Sequence, residues 1–377
     1  MKIERIETKL ADIAYKEQFN KDERYYVHGY ETGKKTDQWI QRNVVVFIYT
    51  DNGYCGIGEA AHCPGIFGET AAGSIGAINL YRTMLIGMNP FDIVKIHHTI
   101  DRMTLIGNNA ARAAVDMALY DIMGKVLNVP VYDLLGGKTR DSFKTHISPA
   151  ISNEVIKNTQ GFIDEGFSVF KVKMTGNVSV DIARIKMLIT GFDENILLHV
   201  DPNQGWSVND TIRICEVITK HPEYKQNIMI EQPVSAQDLE GMAFVTQNTS
   251  VPIIADECAR TPQDVYKVVK NRAANIINVK LTKAGGLYPA RQCIAIAEAA
   301  NVPYIVDEIN EMRICNTAVA HLAMSAKNIV YGGCSCHLIL INDVVKEGGV
   351  QVKGGVATLP ETPGLGIKEL NMSLLFD

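Results

Sequence analysis

The chain has 377 residues, 46% hydrophobic and 21% charged, ordinary values for a globular protein that exclude disorder and collagen-like repeats. A net charge of −5 and 7% aromatics give no electrostatic footprint or stacking platform for nucleic acid. The opening MKIERIETKL lacks the apolar core of a signal peptide, and no apolar run approaches the roughly 20 residues that span a bilayer, so a soluble cytoplasmic protein without a membrane partner is expected.

Residues 1–128 read as an α+β unit, a capping domain. Val44-Val45-Val46-Phe47-Ile48-Tyr49 is a β-branched strand run, Asp51-Asn52-Gly53 supplies the hairpin turn, and Gly56-Ile57-Gly58-Glu59 begins the return. Residues 15–35, polar and carrying Tyr25, Tyr26, His28 and Tyr30, are one candidate capping loop. His62 to Gly68 is a second, in which Phe67 is a candidate to close over a substrate; plain turn glycines are the alternative. Ala110 to Leu127 reads as a helix, and Gly136-Gly137 stops the elements after it.

From 129 to 342 short apolar strands alternate with helices. Strand centres fall near His146, Phe170, His199, Met229, Ile254, Ile277, Ile305 and Val330, about 23 to 30 residues apart. Eight such units predict a modified (β/α)8 barrel of TIM type, in preference to an open doubly wound sheet. Residues 343–377, rich in Gly and Pro, are expected to return to the capping domain. Gly136-Gly137-Lys138-Thr139 is not a P-loop, because Tyr132 stands where the leading Gly belongs. Gly56-Ile57-Gly58 lies in a hairpin and opens no βαβ unit, so a dinucleotide fingerprint is rejected too. The eight cysteines are scattered without a CxxC, so reduced and mostly buried thiols are expected.

Three acids fall at the C-terminal ends of consecutive barrel strands: Asp201, Glu231 and Asp256. Alone, each reads as a helix cap or surface ion pair. Together on the rim where barrel active sites lie, they need a positive charge between them. An all-oxygen set points to Mg²⁺, with Mn²⁺ as the alternative. Lys171 and Lys173 end the second strand on one face, and Lys280 ends the sixth, nearly across the barrel. Lysines snorkelling to solvent are the plain alternative. Their placement around the acids favours base catalysis by Lys173, its charged form disfavoured by Lys171 and the metal.

Lys171-x-Lys173, Asp201-x-Asn203, Glu231-Gln232-Pro233, Asp256-Glu257 and Lys280 resemble the enolase superfamily, within it the muconate lactonizing enzyme subgroup. Gly58-Glu59-Ala60, Ala113 to Ala118 and Pro363-Gly364-Leu365-Gly366 are similar to that subgroup's cap and C-terminal return. A Lys base with Mg²⁺ on an enediolate is that superfamily's general pattern and is not read from this chain. The resemblance implies that Asp201, Glu231 and Asp256 hold Mg²⁺ while a base removes the proton α to the carboxylate of a small-molecule substrate. Lys173 and Lys280 would face opposite sides of the α-carbon, assisted by Lys171, which suits racemisation or epimerisation of an amino acid derivative or small dipeptide. A cycloisomerase or dehydratase is the alternative, and a homo-oligomer is expected.

Where dipeptide epimerases carry Asp-x-Asp at the eighth strand, this chain has Cys334-Ser335-Cys336, and the Glu of muconate cycloisomerases is missing too. Val306-Asp307-Glu308 ends the seventh strand and is similar to the Glu-Asp of the branch acting on proline betaines. Asp307 or Glu308 is thus expected to pair with a substrate amine, a salt bridge to Arg313 or Arg291 being the alternative. Asn203, Glu257, Phe67, Cys334 and Cys336 complete the candidate substrate wall.

Overall fold

The computed structural model describes residues 1–19, 39–104, 107–149, 155–220 and 227–377. The candidate loop residues Tyr25, Tyr26, His28 and Tyr30 lie outside the described residues. The first strands are β1 (Ile3–Ala14), β2 (Ile40–Thr50), β3 (Cys55–Ala60) and a short β4 (Phe143–Lys144). Seven follow at the predicted spacing: β5 (Val169–Lys173), β6 (Leu197–Asp201), β7 (Asn227–Glu231), β8 (Ile253–Ala255), β9 (Ile276–Lys280), β10 (Tyr304–Asp307) and β11 (Ile329–Gly332). The chain finishes with β12 (Val345–Gly348), β13 (Gln351–Lys353), β14 (Val356–Thr358), β15 (Ile367–Leu370) and β16 (Leu375–Phe376).

Strands β5 to β11 form one parallel sheet in sequence order. The strand predicted near His146 is reduced to two parallel bridges, Thr145 to Gly332 at one edge of that sheet and Ile147 to Phe170 at the other. One short segment thus touches both edges, which curls the sheet into a barrel and rules out the open alternative. Pro149 follows and has no N–H with which to extend this ladder.

In the cap, β1, β2 and β3 are antiparallel, with β16 added on the β1 edge. The helix Asn109–Leu127 lies on β3 and is buried throughout from Ala110 to Gly124. A Cβ at Gly56 would come within 2.0 Å of the Ala118 carbonyl oxygen, and one at Gly58 within 1.9 Å of that of Ala114. The Gly-x-Gly of β3 is therefore a seat for helix backbone, a packing role that explains the motif without a nucleotide. The helix ends at Asn128, whose left-handed φ of 56° returns its N–H to the last carbonyls. The tail returns here as well, with Leu365 N donating to Asp121 Oδ1 at 2.9 Å. All eight cysteines are free thiols. Among the described residues no helix is long and apolar enough to cross a membrane.

The barrel floor is a small apolar cluster of Val169, Met229, Ile254, Ile276, Ile305 and Tyr331. Strand side chains alternate faces, so whatever stands two residues further along each strand points into the same interior.

Candidate active site

Two positions beyond the floor the chemistry reverses. Lys171 follows Val169, Glu231 follows Met229, Asp256 follows Ile254, Asn278 follows Ile276 and Asp307 follows Ile305. One layer further out, at the strand ends, stand Lys173, Asp201 and Lys280. All of these are buried except Lys173, whose side chain is 16% exposed.

Burial on this scale requires partners, and each charge has several. Lys171 Nζ lies 2.7 Å from Glu231 Oε2, 3.0 Å from Asp307 Oδ2 and 3.5 Å from Asp201 Oδ2. Lys173 Nζ rests on Asp201 Oδ2 at 2.5 Å and Asn203 Oδ1 at 2.7 Å. Across the barrel, Lys280 Nζ donates to Asp256 Oδ2 at 2.7 Å. Asn278 Nδ2 ties Glu231 to Asp307, at 2.8 Å from each. Removing one member would strand a buried charge, typically worth about 3–5 kcal/mol.

The electrostatics follow from these contacts. Burial opposes the charge on Lys171, yet Asp307, Glu231 and Asp201 hold its ammonium well above the usual lysine range. Lys280 is raised as well, with Asp256 outweighing burial. Burial is likewise overcome at Asp201 by Lys173 and Lys171, and at Asp256 by Lys280 and Lys283, so both carboxylates lie below their usual range. Glu257 moves the other way: burial, then repulsion from Asp256 and Asp201, pushes it up to about 7.

A cavity of ≈ 260 Å³ lies over this layer, with Lys171, Lys173 and Lys280 in its wall. Of the other predicted site residues, Asn203, Glu308 and Cys336 also line it. Asn203 bridges Lys173 and Glu257, donating to Glu257 Oε1 at 3.2 Å. Asp307 sits beneath the cavity wall, one oxygen bonded to Lys171 and Asn278, the other to His146 Nε2 at 2.8 Å. The arginines offered as its alternative partners are engaged elsewhere, Arg313 with Asp343 and Arg291 with Glu298. Cys334 is fully buried and is not in the cavity wall. Phe67 ends a short helix, Pro64–Phe67, with the Arg260 guanidinium 5.1 Å from its ring centre; Gly65 and Ile66 line the cavity in its place.

Four network residues escaped the sequence reading. His199 pairs with Glu231 and Tyr331, and it and Asn278 each stand two residues before a recognised site residue, Asp201 or Lys280. Lys283 Nζ holds Asp256 through its carboxylate at 2.8 Å and its carbonyl at 2.7 Å, one short helical turn after Lys280. His146 reaches the site only because the barrel closes.

Asp201, Glu231 and Asp256 offer oxygen donors alone, chemistry suited to a hard divalent cation. Lysine ammoniums on all three show that this layer is built to surround positive charge. Among the described residues, the three acid or thiol side chains whose ligand atoms come within 4.8 Å of one another are instead Glu308, Glu311 and Cys336. Glu308 there already accepts hydrogen bonds at both oxygens.

Residues 154–371 match the enolase C-terminal domain-like family, and residues 29–136 the mandelate racemase / muconate lactonizing enzyme N-terminal domain. The chain is 35% identical to a hydrophobic dipeptide epimerase of Enterococcus faecalis over 331 residues, 86% of this chain and 91% of that protein. It is 33% identical to an N-succinyl-L-Arg/Lys racemase of Bacillus cereus over 338 residues, 88% of this chain and 89% of the relative. The crystal structure of a dipeptide epimerase from Enterococcus faecalis V583, complexed with Mg and L-Leu-L-Tyr, superimposes with a TM-score of 0.88 at 32% identity, covering 98% of this chain and 100% of that one.

Proposed function

The chain belongs to the enolase superfamily, in its mandelate racemase/muconate lactonizing enzyme group, and from that premise we propose that it is a Mg²⁺-dependent racemase or epimerase acting at the carbon α to a carboxylate. The substrate class is an amino acid derivative or small dipeptide. One observation carries the reading: Lys173 and Lys280, from the opposed strands β5 and β9, line a single cavity. Two amines on opposite faces of one carbon suit 1,1-proton transfer, because one can accept the proton while the other returns it.

Asp201, Glu231 and Asp256 would hold the cation. A bound divalent ion supplies Lewis-acid stabilisation for the negative charge that develops on the substrate carboxylate. This chain's own residues do the rest. Lys173, oriented by Asp201 and Asn203, and Lys280, oriented by Asp256, hold protons at Nζ on either side of the bound carbon. Lys171 adds a buried positive charge beside them. The Cys63–Ile66 segment and Tyr15 of the cap cover the cavity and limit water.

Incubation of amino acid derivatives and dipeptides in D₂O tests this. Deuterium at the α-carbon, with stereoisomer formed, supports it; cyclised or dehydrated product without a stereoisomer overturns it.

A further inference from the structure

Strands β10 and β11 are neighbours, and the segments that follow them bring two acids and a thiol together. Glu308 and Glu311 precede the helix Arg313–Ser325, and Cys336 opens the short helix Cys336–Ile339. One ligand atom from each of the three lies within 4.8 Å of the other two. Movements of under about 1 Å would bring all three to the roughly 2.0–2.3 Å at which zinc holds oxygen and sulfur. Glu308 and Cys336 also line the cavity, so an ion in the cavity reaches them.

Glu311 supplies a second, independent observation. It is 1% exposed, and while its Oε2 accepts from Ile309 N, its buried Oε1 has no hydrogen-bond partner. A buried carboxylate oxygen costs free energy unless something donates to it or is coordinated by it. Glu308 has capacity left as well. Its Oε2 accepts from Cys336 N and Asn316 Nδ2, both at 2.8 Å. Its Oε1 has only the Ser335 hydroxyl, at 2.9 Å, and that hydroxyl's single proton has a nearer acceptor in the His146 carbonyl at 2.6 Å. The Cys336 thiol donates to the Ile309 carbonyl at 3.3 Å, a weak bond that a metal readily replaces. Among the described residues no Lys or Arg forms an ion pair with either acid; the His146 ring, its Nδ1 3.9 Å from Glu308 Oε1, is the one basic group in range. Asp201, Glu231 and Asp256, by contrast, each have a lysine partner.

We propose that Glu308, Glu311 and Cys336 form a second cation site, which takes a zinc-class ion and blocks the substrate cavity. The sulfur decides the ion: a thiolate ligand favours zinc over Mg²⁺, whereas an all-oxygen set suits Mg²⁺. Cys336 N and Asn316 Nδ2 fix the Glu308 carboxylate from behind, the outer support by which ligands are held in place. Water from the cavity completes the coordination. The ion and its water take up space in the same wall as Lys171, Lys173 and Lys280, so ion and substrate exclude each other.

Co²⁺ is the probe, titrated as a zinc stand-in into wild-type protein held in excess Mg²⁺. Cobalt bound through sulfur gives a near-ultraviolet charge-transfer band that an all-oxygen site cannot give. One equivalent should develop the band, Cys336→Ser should abolish it, and Glu311→Gln should raise the Kd at least about 10-fold. No band in the wild type, or a band that survives Cys336→Ser, overturns the site. Alkylation of the wild-type thiols, mapped by peptide mass spectrometry, gives an answer that needs no variant: zinc should protect Cys336, and equal labelling with and without zinc overturns the site. Zinc should also stop α-deuterium exchange by the Mg²⁺-loaded enzyme, and added substrate should relieve the block. Inhibition that Mg²⁺ relieves and substrate does not would put zinc on Asp201, Glu231 and Asp256 and overturn the blocking role. That last arm alone rests on the α-proton-transfer reading; the band and the labelling stand or fall without it.

Discussion

Along β7 the inward side chains are Met229 and then Glu231; along β9 they are Ile276, Asn278 and Lys280. The floor and the layer above it are thus made by the same strands, two residues apart, and differ in what they require. Floor residues fill volume and need only neighbours. Every charged residue above needs named partners: Glu231 alone engages Lys171, His199 and Asn278. Buried ion pairs are weak sources of stability. The floor therefore holds the barrel, while the layer above keeps lysines and acids in register for chemistry.

Chelation should divide the two layers most sharply. With EDTA, α-proton exchange should fall to background, whereas the urea midpoint should keep most of its value because the apolar floor does not depend on a cation. Exchange that survives chelation would sink the metal assignment to Asp201, Glu231 and Asp256.

The lysine substitutions come next in size. Lys280→Ala should lower racemisation by about 10²–10⁴-fold yet leave exchange into the enantiomer presented to Lys173. Lys173→Ala should give the mirror result, with some rescue by Lys171 on the same strand face. A Lys280→Ala enzyme that racemises at the parent rate would leave one base, and a cycloisomerase or dehydratase would become the better account.

The floor supplies the converse test. Ile254 is fully buried and stands two residues before Asp256. Ile254→Ala should destabilise the fold by about 2–5 kcal/mol in urea titrations, with exchange rates in the folded population changed only a few-fold. If the rate fell as steeply as for Lys280→Ala, floor and charged layer would not be separable.

Much of this was legible in the sequence because a barrel strand writes its role at its C-terminal end. Asp201, Glu231 and Asp256 fall one to each of three consecutive strand ends, and Lys171 and Lys173 share a face by simple alternation. The seven regular strands were visible as apolar runs for the same reason. His146 was not, because its segment makes bridges in place of a ladder and its contact with Asp307 exists only once the barrel closes. Lys283 was hidden by proximity: a lysine three residues after Lys280 looks like an ordinary helix charge until its three acceptors are seen. Asp307 was legible as an acid at a strand end, but not the neighbours that take up both of its oxygens, because His146, Lys171 and Asn278 come from three other strand segments.

The smallest predicted effect comes from an acid that the charged layer does not compensate. Glu59 is fully buried where the cap meets the barrel, accepting from Asn43 Nδ2 at 2.6 Å, Met312 N at 2.7 Å and Cys315 N at 2.9 Å. Among the described residues no Lys or Arg forms an ion pair with it, and burial outweighs the three hydrogen bonds to push its carboxyl from 4.5 up to about 7. The folded state therefore keeps a proton that the unfolded chain has released. Its contribution is fully present below the unfolded value, is lost as pH rises towards the folded value of about 7, and is flat above it. The slope is at most about 1.4 kcal/mol per pH unit. Glu59→Gln removes this titration, so wild-type stability minus variant stability should decline between about pH 5 and 7 and then level off. Urea midpoints for both proteins at several pH values read that difference directly. A difference that stays level or rises across the window would show that Glu59 is as well compensated as Asp201, and the contrast between acids with and without lysine partners would fail.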